Sequence, residues 1–376
     1  MSIRSVRLLK YIPSRQRPHS GPFKRDVHLR LNAFVVRQQK RTIFSDVIPA
    51  VLVPPVVFGG LALTLWFYKC SMMVLFQNKI IYMPSVPPFS RREKIADYAN
   101  ICKPITWEEK RIRSLDGTEI ALCVGGIKGS EESSNREVIV LYFQGNASSL
   151  PPRLPSLSNI LKALNHQPTS PHSQTHYRIV ALSYRGFWTS RGRASQKGIE
   201  QDATAALAWV QETYGDQSHD VRLILWGQSI GAGVATDAAA RYLQQPPSSA
   251  RHLEVRGLIL ETPFVSVRNM LVALYPQKWL PYRYLWPFLR NWWDSEAALR
   301  SIAEKKQPGD MPILLVAASR DEVVPPDQAD QLERLCRELG LQVRRKDVPG
   351  ALHTEAMAKR EGQVAVVELL KNVGTS

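Results

Sequence analysis

Apolar residues are distributed along this chain in three patterns, and each predicts a different kind of element. Residues 47–68 carry no charge; as a helix they would extend roughly 33 Å, enough to cross the hydrocarbon of a bilayer. Farther on come short, continuous apolar runs at 138–143, 177–183, 221–226, 255–261, 312–318 and 341–348, which predict buried strands. Between them, apolar positions return at helical spacing over 155–164, 198–214, 232–243 and 327–339, and again from about 355 to 370. Strand and helix in alternation predict an α/β architecture, a mostly parallel central sheet flanked by helices. The runs 110–114 and 119–124, joined by the turn Asp116-Gly117, predict a hairpin at its front edge.

The junction between the strand 221–226 and the helix 232–243 reads Gly227-Gln228-Ser229-Ile230-Gly231. A serine at a sharp strand-to-helix turn has its Oγ pushed outward, and glycines are needed where a Cβ would strike the neighbouring strand or helix. The first amide of the new helix, that of Ile230, then points at the oxygen of an acyl group attacked there. Downstream, the strand 312–318 ends in a polar turn carrying Asp321, and the last strand leads into Pro349-Gly350-Ala351-Leu352-His353. Ser229, Asp321 and His353 thus follow in the order nucleophile, acid, base. The imidazole takes the hydroxyl proton, and the carboxylate fixes the imidazole's tautomer.

Glu322 and Asp327 are rival acids. Asp321 is preferred as the first acid past the strand, whereas Asp327 reads as a helix N-terminal residue. His166, His172 and His176 fall in a Pro/Ser-rich stretch, 165–177, and read as solvated loop residues. The strand 138–143 runs into Gln144-Gly145-Asn146, where the amide of Asn146 is the expected second oxyanion donor. Asn146-Ala147-Ser148 is also a glycosylation sequon, discounted because a sugar there would block the site.

At these residues the chain resembles the α/β-hydrolase superfamily, and most of all its bud-emergence-type, membrane-anchored serine hydrolases of fungi and their animal α/β-hydrolase-domain relatives. The resemblance runs from about residue 100 to the C-terminus. It includes the strand-end turn Ser183-Tyr184-Arg185-Gly186, the segment Glu261-Thr262-Pro263-Phe264, and the acid loop Arg320-Asp321-Glu322-Val323-Val324-Pro325-Pro326. Where the family usually has His-Gly-Asn, this chain has Gln144-Gly145-Asn146; the donor is a backbone amide, so the loop is expected to survive. The resemblance implies a hydrolase of carboxylic esters or thioesters of lipid-like substrates, working without a cofactor or metal.

The segment of about 264–310 is long and aromatic, with Tyr275, Trp279, Tyr282, Tyr284, Trp286, Phe288, Trp292 and Trp293 interleaved with Lys278, Arg283 and Arg290. In this fold an insertion here sits over the nucleophile, so it is read as a lid lining an acyl pocket, suited also to a membrane interface. A lid packed into a small core of its own is the plainer alternative. No nucleic-acid-binding motif accompanies the basic residues, so no nucleic-acid partner is expected.

The expected organisation is a basic tail (1–46), a transmembrane anchor (47–68), a juxtamembrane linker (69–99) and the hydrolase domain (100–376). The tail carries eleven Lys/Arg against two Asp/Glu, net +9 of the chain's formal +16, so the excess charge sits outside the enzyme. A basic tail before the span favours a cytoplasmic N-terminus and a luminal domain, in the endoplasmic reticulum or secretory pathway. The acid-poor spacing of Arg4, Arg7 and Lys10 leaves a mitochondrial membrane as the alternative. Cys70, Cys102, Cys123 and Cys336 have no metal-binding spacing; Cys102 and Cys123 could pair in a luminal domain, but free buried thiols are preferred. Two classes of function remain: a serine hydrolase, or a membrane-tethered, non-catalytic scaffold of the same fold.

Overall fold

The apolar runs pair into one eight-stranded sheet, seen in a computed structural model that describes residues 49–127, 136–165, 175–215, 220–245, 252–305 and 311–375. Its strands are β1 (Thr106–Arg113), β2 (Glu119–Gly126), β3 (Arg136–Phe143), β4 (Thr175–Ser183), β5 (Asp220–Gln228), β6 (Glu254–Glu261), β7 (Ile313–Ala318) and β8 (Val343–Val348), in the order β1-β2-β4-β3-β5-β6-β7-β8. β1 and β2 form the expected antiparallel hairpin, β2 is antiparallel to β4, and every later pairing is parallel.

Side chains of a strand alternate between faces, and β3 divides its residues accordingly. Ile139, Leu141 and Phe143 enter one core, with α5 (Gln196–Tyr214), α6 (Ile230–Gln244), α8 (Ser295–Ala303) and α9 (Asp327–Glu338). Val138, Val140 and Tyr142 enter the other, with α3 (Ile95–Cys102), α4 (Leu154–Asn165) and α10 (Arg360–Thr375). A strand covered on both faces must be apolar throughout, which is why all of β7 is buried. The parallel strands run the same way, so the turns after β3, β5, β7 and β8 gather at one edge of the sheet, where this architecture places its sites.

By compactness the chain divides after Gly60. Of Met1–Gly60, the described residues form a 3₁₀ turn (Ala50–Leu52) and the first turns of α1 (Val53–Leu75), with Val51 and Phe58 exposed. The basic tail lies outside the described residues. The helix Ala50–Leu75 has a mean hydropathy of 2.0 and is long and apolar enough to cross a membrane. Its position differs from the expected 47–68. Pro54 and Pro55 occupy the first turn, where a missing amide costs no bond, and the helix continues past Lys69 to Leu75.

The stretch expected to be a linker, 69–99, is not one. After α1 come α2 (Gln77–Tyr82) and, farther along, the start of α3; Gln77, Tyr82 and Ser90 are buried in the body of Leu61–Ser376. Residue 100 falls inside α3, within the compact unit Leu61–Ser376. His176 is likewise not a solvated loop residue. β4 starts at Thr175, its first residues pair with Arg136 and Glu137, and buried His176 lies with Nδ1 3.1 Å from the Glu137 carboxylate. His166 and His172 lie outside the described residues. The final helix starts at Arg360, later than residue 355, because turns fill the gap: the Glu355 amide donates to the Leu352 carbonyl and the Ala358 amide to that of Glu355. Cys102 and Cys123 are free thiols, both buried.

Candidate active site

β5 ends at Gln228 and α6 begins at Ile230, so Ser229 alone makes the turn, with φ 53° and ψ −118°. A non-glycine residue there is strained and persists only where its surroundings hold it. Two close backbone approaches do so. A Cβ on Gly227 would lie 2.0 Å from the Gly231 carbonyl oxygen, and one on Gly231 would lie 2.1 Å from that of Phe143. The Ser229 amide donates to the Glu261 carbonyl at 2.8 Å, which fastens the turn to β6.

The structure brings the three expected residues together. Ser229 Oγ lies 2.8 Å from His353 Nε2, and His353 Nδ1 lies 2.8 and 3.0 Å from the two carboxylate oxygens of Asp321. A proton on Nδ1 satisfies the carboxylate and leaves Nε2 free to accept from the hydroxyl. Asp321 also accepts the amides of Val323 (2.9 Å) and Val324 (2.7 Å). Burial alone would raise its pKa; the His353 bond and these amides outweigh that and hold the carboxyl below its ordinary range. The rival acids make other bonds. Glu322 accepts the backbone amide of His353 at 2.9 Å, and Asp327 accepts from the Gln331 side chain on α9.

Ile230 supplies the first amide of α6, which has no acceptor within its own helix. Facing it is the loop after β3. The Gln144 carbonyl accepts the Tyr184 hydroxyl at 2.9 Å, the Ala147 amide donates to Tyr82, and the Ser148 amide to Val86. Between these tied positions the amide of Asn146 has no acceptor among the described residues. The Gln144 side chain is fully buried with both polar atoms unpaired, so the loop owes its shape to backbone contacts and not to that side chain.

Two cavities flank this turn. One, of about 320 Å³, opens against Asn146 and Ile230 and is lined by Phe264, Met270, Leu271 and Val74. The other, of about 260 Å³, lies beneath the turn and is lined by Tyr142, Arg153, Gln228 and Glu261. Glu261 is 1% exposed and accepts from Trp226 Nε1 (3.2 Å) and Gln228 Nε2 (3.0 Å). Burial pushes its carboxyl up to about 7, against the pull of the Arg153 charge. Among the described residues no cluster of His, Cys, Asp or Glu could hold a metal ion.

Sequence reasoning missed Tyr82 and Val86, which tie the loop after β3 from far upstream, and the buried acid Glu261. Of these, only Glu261 stood in a segment already singled out, Glu261-Thr262-Pro263-Phe264.

Residues 139–300 match the alpha/beta hydrolase fold as a family. The chain is 26% identical to Protein bem46 of Schizosaccharomyces pombe over 284 residues, 74% of this chain and 81% of that protein. It is 30% identical to the alpha/beta hydrolase domain-containing protein WAV2 of Arabidopsis thaliana over 278 residues, 72% of this chain and 77% of that one. With the lysophosphatidylserine lipase ABHD12 of Danio rerio it shares 29% identity over 194 residues, 50% of this chain but only 44% of that protein. Sheet order, strand-to-helix serine turn and these likenesses agree: the chain belongs to the α/β-hydrolase superfamily, among the bem46-type proteins.

Proposed function

We propose that the chain is a membrane-anchored serine hydrolase of carboxylic esters or thioesters with lipid-like acyl groups. The observation that carries this reading is the unbroken chain from Ser229 Oγ through His353 to Asp321 at the edge of an apolar cavity. His353 Nε2 takes the hydroxyl proton as Oγ attacks the acyl carbon, and Asp321 stabilises the imidazolium. The developing oxyanion is met by the amides of Ile230 and Asn146, each such donor being worth about 100- to 1,000-fold in turnover. His353 then protonates the leaving oxygen or sulfur, activates a water, and the acyl-enzyme is hydrolysed.

Apart from Gln77, Asn146 and Tyr275 the residues lining the cavity are apolar, Phe264, Met270, Leu271 and Val74 among them, which suits an acyl chain. The lipase named among the relatives supports the same substrate class, with segment 264–310 as the lid. α1 serves as a single-pass anchor, the basic tail cytoplasmic and the hydrolase on the far side, in the secretory pathway. Protease protection of the C-terminal domain in sealed microsomes checks that side; digestion without detergent would reverse the topology. For the chemistry, the purified full chain in detergent should hydrolyse p-nitrophenyl octanoate, and Ser229→Ala should abolish this. Equal rates for the two proteins would sink the proposal.

A further inference from the structure

The cavity beside Ser229 is walled in part by the end of the membrane helix. Met73 and Val74 close α1, Ile80 and Ile81 stand on α2, and all four line the cavity, opposite Met270 and Leu271 of α7 (Val267–Leu274). These walls are joined by polar bonds. Buried Gln77 donates from Nε2 to the carbonyls of Val74 (3.1 Å) and Phe288 (3.0 Å), and its Oε1 accepts the Arg290 amide at 2.7 Å. The Arg290 guanidinium donates to the carbonyls of Val74 (2.9 Å) and Leu75 (3.1 Å), which a helix end leaves without intrahelical partners. The Tyr82 hydroxyl donates to Asn291 Oδ1 and accepts from Trp293 Nε1, both at 2.9 Å. The end of α1, α2 and the aromatic insertion therefore form one body.

The same body has a definable depth. Lys69 is the first charge after the apolar run, and such a residue marks where hydrocarbon gives way to headgroups. Its ammonium stands 4.4 Å from the centre of the Tyr282 ring. Three residues deeper, about 4.5 Å along the helix, Trp66 packs on Trp279 with ring centres 5.9 Å apart. Trp279 is 67% exposed, at a level where Trp and Tyr are favoured at a bilayer surface. Val74, at the cavity wall, stands only about 8 Å above Lys69 along the helix. The cavity's own rim is exposed and apolar: Ile80 is 50%, Leu274 61% and Phe288 59% accessible.

We propose that α2 and the aromatic insertion rest in the headgroup layer of the leaflet next to Lys69, and that the cavity is loaded from that leaflet past Ile80, Leu274 and Phe288. The acyl chain of a membrane-resident ester then reaches Ser229 without crossing water. The anchor is accordingly a wall of the substrate site as well as a tether. This rests on the ester-hydrolase reading for its chemistry but not for its placement.

The test uses the full chain in phosphatidylcholine vesicles. Leu274→Asp/Phe288→Asp should lower hydrolysis of a dodecanoyl ester dissolved in the vesicles about ten-fold or more relative to that of water-soluble p-nitrophenyl butyrate, through KM. Equal losses on both esters, or none on either, overturn the proposal. A nitroxide at Phe288→Cys, with Cys70→Ser, reads placement without catalysis. Collisions with oxygen exceeding those with an aqueous nickel chelate support burial in the leaflet, and the reverse overturns it. A wild type inert towards both esters, with the nitroxide in the leaflet, would refute the hydrolase reading alone.

Discussion

Replacing Glu261 with glutamine measures what a buried acid beneath the serine turn does to stability. The carboxyl is 1% exposed, and burial has moved it from the ordinary 4.5 to about 7. An acid that holds its proton more tightly in the folded state favours folding at low pH. That contribution is complete below about pH 4.5 and is lost as the pH rises through about 7. At about 1.4 kcal/mol per pH unit, the interval corresponds to roughly 3 kcal/mol. Glutamine keeps one oxygen for one of the Trp226 and Gln228 donors, turns its amide nitrogen towards the other at every pH, and cannot ionise. The stability of Glu261→Gln relative to the wild type should therefore be about 3 kcal/mol more favourable near pH 8 than near pH 4.5, falling steadily between the two, on top of a pH-independent offset from the amide. Thermal unfolding of both proteins in the same detergent, from about pH 5 to about 8, reads this as a melting difference that moves in favour of the variant by roughly 5 °C across the range. Groups shared by the two proteins cancel in the difference. A margin that is flat with pH, or that widens towards acid, refutes the account of Glu261 as a buried group held neutral.

Four further outcomes follow from named contacts. Tyr82→Phe strands the buried Trp293 Nε1, leaves Asn291 Oδ1 with the Gln196 amide as its one remaining donor, and should cost about 1–3 kcal/mol in thermal or denaturant unfolding. A chain starting at residue 100, lacking all of Tyr82's contacts, should elute as aggregate in size-exclusion chromatography. Gly231→Ala places a methyl 2.1 Å from the Phe143 carbonyl, so turnover should fall at least about 100-fold, checked by ester hydrolysis alongside circular dichroism. Val74→Phe adds bulk at the wall of the cavity and should move the chain-length preference on p-nitrophenyl esters towards shorter acyl groups; an unchanged profile would remove Val74 from the acyl path.

What could be read in the sequence depended on how local the determining interaction is. Strands such as 312–318 were legible because burial on both faces leaves an uninterrupted apolar run. Ser229, Asp321 and His353 were legible because each follows a strand's carboxyl end, and order along the chain then places them at one edge of the sheet. The stretch 69–99 was misread because what seats it is sparse and polar: Gln77 and Tyr82 reach Phe288 and Asn291, and no periodicity records such a contact. His176 was misread for a related reason. A strand that begins Thr175-His176 looks like loop until its pairing with Arg136 and Glu137 is known. The hydroxyl of Tyr184 on the Gln144 carbonyl belongs to the same class of long-range polar bond.

The most direct test of the central claim is fluorophosphonate labelling of the full chain in detergent, comparing the wild type with Ser229→Ala and His353→Ala. The account predicts labelling of the wild type, none in Ser229→Ala and a sharp fall in His353→Ala. A folded wild-type chain that takes up no label, or labelling that persists in Ser229→Ala, would contradict it.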